Sequence, residues 1–268
     1  MSYNSARDEL FLANFENKVV RAMRIRDNAG DLRDVYKAPH GASPFGEVLS
    51  VCHMSDSDTL LVCSIEKGPN HKFAYWLVAL SRNGSEWREA HRVQTDGEGR
   101  ISCALSDSRV LIGNGAVPYM ELFRVESGPR IARVHRIQVP ETYWWFSATS
   151  GSDTLVAMCY LDPEYLYKDQ SVRVNRLRGD QLEELVRIQL KFPNYLLWLA
   201  DRLLVADFDD ENKSHALIEL KLSATRLEGR RELIATSENI YVRSLCAVND
   251  GLAIFDYISK DILHFSFT

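Results

Sequence analysis

The chain has 268 residues, of which 46% are hydrophobic and 26% are charged, and its formal net charge is −5 at pH 7. A chain of this length can bury a large core, and its acidic balance argues against nucleic acid as a partner, because phosphate contacts usually need a basic surface. No apolar run reaches the roughly 18–20 residues of a membrane span, and the first residues lack the basic and apolar segments of a secretory signal. We therefore predict a cytoplasmic protein with no membrane partner.

The cysteines are odd in number, and each lies inside an apolar segment. They are Cys52, Cys63, Cys103, Cys159 and Cys246. Such positions indicate buried thiols in a reducing compartment rather than a disulfide framework or a zinc site.

A short motif recurs six times along the chain. An Asp or Ser closes a turn, and an apolar run rich in Leu, Val and Ile follows. The copies are Asp8–Ala13, Asp58–Cys63, Ser108–Gly113, Asp153–Met158, Asp201–Ala206 and Asp250–Phe255. Their turn residues lie 50, 50, 45, 48 and 49 positions apart. Helical periodicity is almost absent, and a repeat of this length with about four short strands is typical of a propeller blade.

The strands of each unit are named a to d in chain order, and the second and third units show all four, whereas the first shows no clear strand a. The first unit offers strands b to d as Glu9–Phe15, Lys18–Ile25 and Leu32–Lys37, with only Met1–Ala6 available as strand a. The second unit has all four as Val48–Met54, Thr59–Ile65, Phe73–Leu80 and Trp87–Gln94. The third unit has Ile101–Leu105, Val110–Ile112, Tyr119–Val125 and Ile131–Val139.

The last three units follow the same pattern. The predicted strands of the fourth are Trp145–Thr149, Thr154–Cys159, Val172–Leu177 and Leu182–Leu190. Those of the fifth are Tyr195–Leu199, Leu203–Ala206, Ala216–Leu222 and Arg231–Ala235. The sixth has Val242–Val248, Leu252–Tyr257 and Ile262–Phe267, and no strand d is predicted. The d strands carry charges among their apolar residues, which protects an outer edge against pairing with other chains.

The segment from Asp8 to Arg21, and again the segment Asp201–Asp207, resembles one blade of the NHL and gluconolactonase-like (SMP-30-like) propellers. Asn14 stands where those families often have Asp. The predicted fold is therefore an all-β propeller of about six four-stranded blades in a single domain. Its units span approximately residues 1–44, 45–95, 96–140, 141–193, 194–237 and 238–268. A propeller of five blades, with the two chain ends sharing one blade, is the alternative.

Function is expected at the end of each blade that bears its b–c loop and d–a connection, because those loops vary while the a–b and c–d turns are plain. Residues that enter the a strands at this end are the candidate ligand-binding residues. They are Glu47, Glu98, Arg100, Trp144, Tyr195, Tyr241 and Arg243. Aromatic walls with a few charges suit a small ligand or a peptide. The competing interpretation is that the aromatic residues cap the core where blades meet.

No catalytic motif is evident, and no cofactor is predicted. Asp207, Asp209 and Asp210 are candidate ligands for Ca²⁺ or another divalent cation, since carboxylate oxygens suit such ions. A solvated acidic loop is the competing interpretation of these three residues.

The sequence thus favours a non-catalytic binding module for a protein, peptide or small ligand. One alternative is a metal-dependent hydrolase of the lactonase type with its site in the central channel. The other is a carbohydrate-binding propeller with aromatic pockets. The oligomeric state is left open.

Overall fold

The structure is a computed structural model. It describes residues 1–14, 18–25, 32–37, 47–67, 73–97, 99–105, 107–113, 117–139, 143–160, 170–209, 214–223, 226–237, 242–249, 251–256, 259 and 261–266. Within these ranges, the side chains of Glu47, Lys67, Trp144, Ser214, Arg243 and residues 234–237 are not described. The regular structure of the described residues is entirely β, and none of them forms a helix that could span a membrane.

The chain divides into two compact units, Met1–Arg136 and Ile137–Thr268. The first unit holds three four-stranded antiparallel sheets, each with its strands in chain order. Sheet 1 consists of β1 (Ser2–Asn4), β2 (Glu9–Asn14), β3 (Val19–Arg24) and β4 (Arg33–Lys37). Sheet 2 consists of β5 (Glu47–Met54), β6 (Thr59–Lys67), β7 (Phe73–Asn83) and β8 (Glu86–Thr95). Sheet 3 consists of β9 (Ile101–Ala104), β10 (Arg109–Gly113), β11 (Tyr119–Glu126) and β12 (Arg130–Gln138).

The second unit holds three further sheets of the same kind. Sheet 4 consists of β13 (Tyr143–Ser150), β14 (Thr154–Tyr160), β15 (Ser171–Arg178) and β16 (Gln181–Gln189). Sheet 5 consists of β17 (Pro193–Leu199), β18 (Arg202–Asp209), β19 (Ser214–Leu222) and β20 (Leu227–Ser237). Sheet 6 has three strands in the described ranges, β21 (Val242–Val248), β22 (Gly251–Asp256) and β23 (Ile262–Ser266).

The predicted fold class, an all-β propeller with six blades, is confirmed. Each sheet is one blade, and each falls within one predicted unit except that β17 begins one residue early. The five-blade alternative is wrong, because the first unit has its own strand a. Ser2, Tyr3 and Asn4 pair with β2 in antiparallel register, opposite Phe11, Leu10 and Glu9. The three-residue strand is too short to produce a pattern in the sequence.

Within each unit, the core lies between neighbouring sheets. One cluster in the first unit joins sheets 2 and 3 through residues such as Leu61, Leu77, Val110 and Phe123, which are at most 1% exposed. Such burial explains why the central strands are nearly continuous apolar runs, since each buried Leu or Val side chain contributes about 1.5–3 kcal/mol. Four of the five cysteines are buried and all five are free, as predicted for thiols in a core.

The recurring turn residue adopts a left-handed backbone in three blades. The φ angles are 56° at Asp8, 43° at Asp58 and 60° at Ser108, a region that Asp and Asn tolerate better than most residues do. In the last two blades the left-handed residue comes one position earlier, at Ala200 and Asn249. The turn motif therefore marks the start of strand b, although its backbone geometry changes along the chain.

Candidate functional site

A small cleft opens where β8 ends and β9 and β11 begin, at the end of sheet 3 that bears its b–c loop. It is lined by Gly97, Gly99, Ile112, Gly113, Val117, Tyr119 and Glu121. Its volume is about 10 Å³, which is about the space that one water molecule needs. The cleft lies within the first unit, at the kind of blade end where the sequence predicts function.

Gly99 shapes this cleft through its backbone. Its φ is +59°, and a Cβ at this position would lie 3.0 Å from Sγ of Cys63 and 3.2 Å from Cγ2 of Ile112. The hydroxyl of Ser50 donates a hydrogen bond to the Gly99 carbonyl oxygen at 2.8 Å. The positive φ and the close neighbours together make glycine the residue that fits.

Glu121 is a buried carboxyl at the wall of the cleft, with 3% of its surface exposed. Its Oε2 accepts the backbone N–H of Asp96 at 3.0 Å. Its Oε1 lies 2.9 Å from Nη2 of Arg133, yet it has no well-aligned hydrogen bond in the described residues. Burial raises the pKa of Glu121, and the nearby Asp96 carboxylate adds to the rise, which the Asp96 N–H and the Arg133 charge only partly offset.

Asp96 lies beside Glu121, but its pKa is shifted in the opposite direction. Burial alone would raise the pKa of Asp96, whereas the hydrogen bond from Arg136 and the charges of Arg133 and Arg136 hold it below its ordinary value. Nη1 of Arg133 lies 3.0 Å from Oδ2 of Asp96, so one guanidinium contacts both carboxyls. Glu121 therefore holds a proton more readily than Asp96 does, because Glu121 is buried whereas Asp96 is partly exposed and paired with two arginines.

An aromatic ring completes this group. The guanidinium of Arg136 lies 5.2 Å from the ring centroid of Tyr119, within the range of a cation–π contact. Burial raises the pKa of the Tyr119 hydroxyl, and the Asp96 carboxylate raises it further. Arg133 and Arg136 keep 35% and 49% of their side-chain surface exposed. We call Asp96, Tyr119, Glu121, Arg133 and Arg136 the Tyr119 patch.

A second polar centre lies at the opposite strand ends of sheets 1 and 2, near the a–b turns. Glu9, which is 1% exposed, is held by Arg82 and Arg33. Nε2 of His53 lies 3.1 Å from Oδ1 of Asp58, which also accepts a hydrogen bond from the Asn4 amide at 3.2 Å. The His53 side chain is only 1% exposed. Glu9 and His53 are buried in this centre, whereas the side chains of Arg33 and Asp58 remain partly exposed at its rim. Its contacts join the two blades.

Two of the seven predicted ligand-binding side chains are described. Arg100 is exposed just before β9. Tyr195 is 6% exposed in the core of the second unit, with its ring centroid 4.4 Å from that of Trp145. That position corresponds to the core-capping interpretation of the aromatic residues. Glu98 and Tyr241 lie outside the described residues, as do the side chains of Glu47, Trp144 and Arg243, whose backbones belong to β5, β13 and β21.

The acidic segment after Asp201 is arranged differently from the prediction. Strand β18 continues to Asp209, so Asp207 is a strand residue and not the start of the b–c loop. Asp207 is buried, and its carboxylate accepts the backbone N–H groups of Phe192 at 2.7 Å and Lys191 at 3.2 Å. Burial raises the pKa of Asp207 although these two N–H groups oppose the shift.

Asp209 forms an ion pair with the Lys191 ammonium, and Asp210 lies outside the described residues. No group of three or more His, Cys, Asp or Glu side chains that could hold a metal ion occurs in the part of the chain that the structure describes. The contacts of Asp207 and Asp209 thus connect β18 with the segment that precedes β17.

Sequence reasoning missed the Tyr119 patch. Arg133 and Arg136 belong to a d strand, whose charges were predicted to protect an outer edge. Arg133 pairs with Glu121 inside sheet 3, whereas the contacts of both arginines with Asp96 depend on the packing of sheet 2 on sheet 3. One signal was present, because Glu121 is a single acidic residue inside the otherwise apolar run from Tyr119 to Phe123.

No family model matches the chain, and no curated protein sequence matches it. Solved structures do match over nearly its whole length. A chain of the nidogen/laminin complex has a TM-score of 0.65 and 10% identity, covering 96% of this chain and 88% of that one. A Bacteroides uniformis ATCC 8492 protein assigned provisionally as a 6-phosphogluconolactonase has a TM-score of 0.61 and 12% identity, covering 97% and 93%. The Dos1 propeller has a TM-score of 0.62 and 10% identity, covering 100% and 71%.

These similarities define the class of the protein as a β-propeller. At 10–12% identity they show the fold alone, because one fold hosts many functions. The narrower resemblance to NHL and gluconolactonase-like propellers stays a prediction.

Proposed function

We propose that this protein is a non-catalytic propeller module that binds a protein or peptide through the blade ends bearing the b–c loops, with the Tyr119 patch as one contact region. The observation that carries this proposal is the pairing of two half-exposed arginines with a tyrosine and a buried carboxyl. Tyr and Arg are enriched among the residues that dominate binding energy in protein interfaces. Asp96 holds the guanidinium groups of Arg133 and Arg136 in place, so these side chains lose less conformational entropy when a partner binds.

The size of the cleft supports a macromolecular ligand. Pockets for small molecules usually enclose about 300–1,000 Å³, whereas this cleft has about 10 Å³. A ligand at the Tyr119 patch therefore contacts its outer surface, as a peptide or protein does. One structural neighbour, a chain of the nidogen/laminin complex, shows a propeller of this general fold in a complex of two proteins.

A selection from a library of displayed linear peptides tests the proposal. Peptides that bind the wild-type chain should lose most of their binding to Arg136→Glu and to Tyr119→Ser. The matched control is Arg88→Glu, which reverses the same charge at an exposed position near the c–d turn of sheet 2. Peptides that bind all three variants equally, or a selection that yields none above background, would contradict the proposal.

A second candidate is a metal-dependent hydrolase of the lactonase type. It is favoured by the structural neighbour assigned provisionally as a 6-phosphogluconolactonase. Glu98 and the side chain of Glu47, its possible metal ligands, are not among the residues described. Hydrolysis of γ- and δ-lactones by the purified chain, dependent on added Ca²⁺, Zn²⁺ or Mn²⁺, would establish this function in place of the first.

A further inference from the structure

The sixth blade has one strand fewer than the other five in the described residues. Sheets 1 to 5 each have four strands, and sheet 6 ends at β23, whose outer edge is not paired within the described chain. A strand edge presents a row of backbone N–H and C=O groups that can pair with another strand. Sheet 6 is therefore the blade that could accept one more strand.

The burial of β23 differs from that of every other third strand. The strands β3, β7, β11, β15 and β19 each have at least three buried residues. None of the five residues of β23 is buried, although Ile262, Leu263 and Phe265 are apolar. Leu263 and Phe265 pack against the core cluster that joins sheets 5 and 6, but both are only partly buried. The strand has the sequence of an inner strand and the exposure of an outer one.

The charges of β23 also differ from those of the outer strands. The strands β4, β8, β12, β16 and β20 each carry at least three charged residues, which protect a free edge. The segment Ile262–Ser266 carries no Asp, Glu, Lys or Arg. The edge of β23 therefore lacks the charged residues that protect the outer edges of the other five blades. This is expected of a strand whose edge is covered by a binding partner.

We propose that the outer edge of β23 binds an extended segment of another protein, which adds as the fourth strand of sheet 6. Main-chain hydrogen bonds would supply affinity, and alternate side chains would supply specificity. The segment would run antiparallel, as every pair in the six sheets does, with apolar residues beside Leu263 and Phe265. Asp261, exposed at the start of β23, favours a basic residue near the C-terminal end of the segment.

A second copy of the chain is a poorer occupant. Two β23 edges would bring together five residues from each side, compared with about 20–30 residues a side in a stable interface. This inference does not depend on the Tyr119 patch, because the two surfaces belong to different blades.

The test uses a fluorescein-labelled peptide with the sequence of β16, Gln181–Gln189, which already serves as a fourth strand in sheet 4. Its apolar residues Val186 and Ile188 lie on either side of Arg187, near its C-terminal end. Fluorescence anisotropy should show saturable binding to the wild-type chain. A peptide carrying Val186→Pro should bind at least about tenfold more weakly, because it loses an N–H and the extended geometry. Hydrogen exchange should slow in residues 262–266 when the first peptide is bound.

Variants locate the binding. The double variant His264→Glu and Ser266→Glu places charges at exposed positions on β23 and should weaken binding of the acidic peptide by about tenfold or more. The matched control is the protein variant Gln181→Glu and Gln189→Glu, tested with the unchanged peptide. It adds the same charge to strand β16 of the protein, where both residues are also exposed. Absence of binding, or binding without protection of residues 262–266, would overturn the proposal. So would protection of these residues in the protein alone, which would show that a second copy or another segment already covers the edge.

Discussion

Glu9 and Arg82 lie 73 residues apart in the chain and form a two-pronged ion pair. Nη1 of Arg82 donates to Oε2 of Glu9 at 2.6 Å, and Nη2 donates to Oε1 at 3.3 Å. The Glu9 side chain is 1% exposed and that of Arg82 is 11% exposed. This contact joins strand β2 of the first blade to strand β7 of the second.

Replacement of Arg82 by Met should destabilise the protein by about 3 kcal/mol, because it leaves the Glu9 carboxylate buried with Arg33 as its remaining ion-pair partner among the described residues. The double variant Glu9→Gln and Arg82→Met should lose less than the sum of the two single variants. Urea denaturation measures these free energies. Arg88→Met, at an exposed ion pair, is the control and should change stability by less than about 0.5 kcal/mol. Equal losses at Arg82 and Arg88 would contradict this account of the pair.

His53 should make stability depend on pH. Burial lowers the pKa of His53, although Asp58 and Glu9 oppose the shift, while Arg82 acts in the same direction as burial. The unfolded chain then binds a proton at His53 more readily than the folded chain does, so stability is lost as the pH falls below about 6.5. His215 shifts the same way, so the free energy of unfolding of the wild type should be compared with that of His53→Gln between pH 7 and pH 5.

The wild type should lose more stability than His53→Gln over that interval. The carboxyl of Asp58, whose pKa is held below its ordinary value, titrates at lower pH and does not confuse the comparison. Parallel curves for the two proteins would show that His53 titrates alike in the folded and unfolded states.

Gly99→Ala should be more damaging than Gly84→Ala. Both glycines have a positive φ, so alanine is strained at either position by about 1–2 kcal/mol. A Cβ at Gly84 meets nothing within 4 Å, whereas one at Gly99 meets Cys63 and Ile112 at 3.0–3.2 Å. Thermal denaturation of the two variants separates the backbone cost from the cost of crowding the cleft. A larger loss for Gly84→Ala would contradict the packing described around Gly99.

Much of the fold was predictable from the sequence, and the site was not. The motif beginning at Asp58 marks strand b of sheet 2, whose four strands lie within a few residues of their predicted bounds. Strand β1 lies within Met1–Ala6, the segment left for strand a of the first unit, but its three residues give no periodicity that marks a strand. The Tyr119 patch was missed for another reason. Asp96 and Arg136 are 40 residues apart, and only the packing of sheet 2 on sheet 3 brings their side chains together.

Glu121→Gln should gain stability relative to the wild type as the pH rises. Burial raises the pKa of Glu121, so the folded chain holds this proton more tightly than the unfolded chain does. The contribution of Glu121 is then fully present below its ordinary pKa of 4.5 and is lost as the pH rises through the folded value. Urea denaturation at pH 5 and pH 8 measures the difference between variant and wild type. A difference that stays constant, or that moves in favour of the wild type at pH 8, would show that Arg133 fully compensates the buried charge.

The most direct test of the proposed function is a hydrogen-exchange footprint of the wild-type chain with a peptide from the library selection. We predict slower exchange at the ends of β8, β11 and β12 around Asp96, Tyr119 and Arg136, and unchanged exchange at the Arg82–Gly84 turn. Protection at that turn, with none around Tyr119, would place binding at the opposite end of the blades and contradict the account.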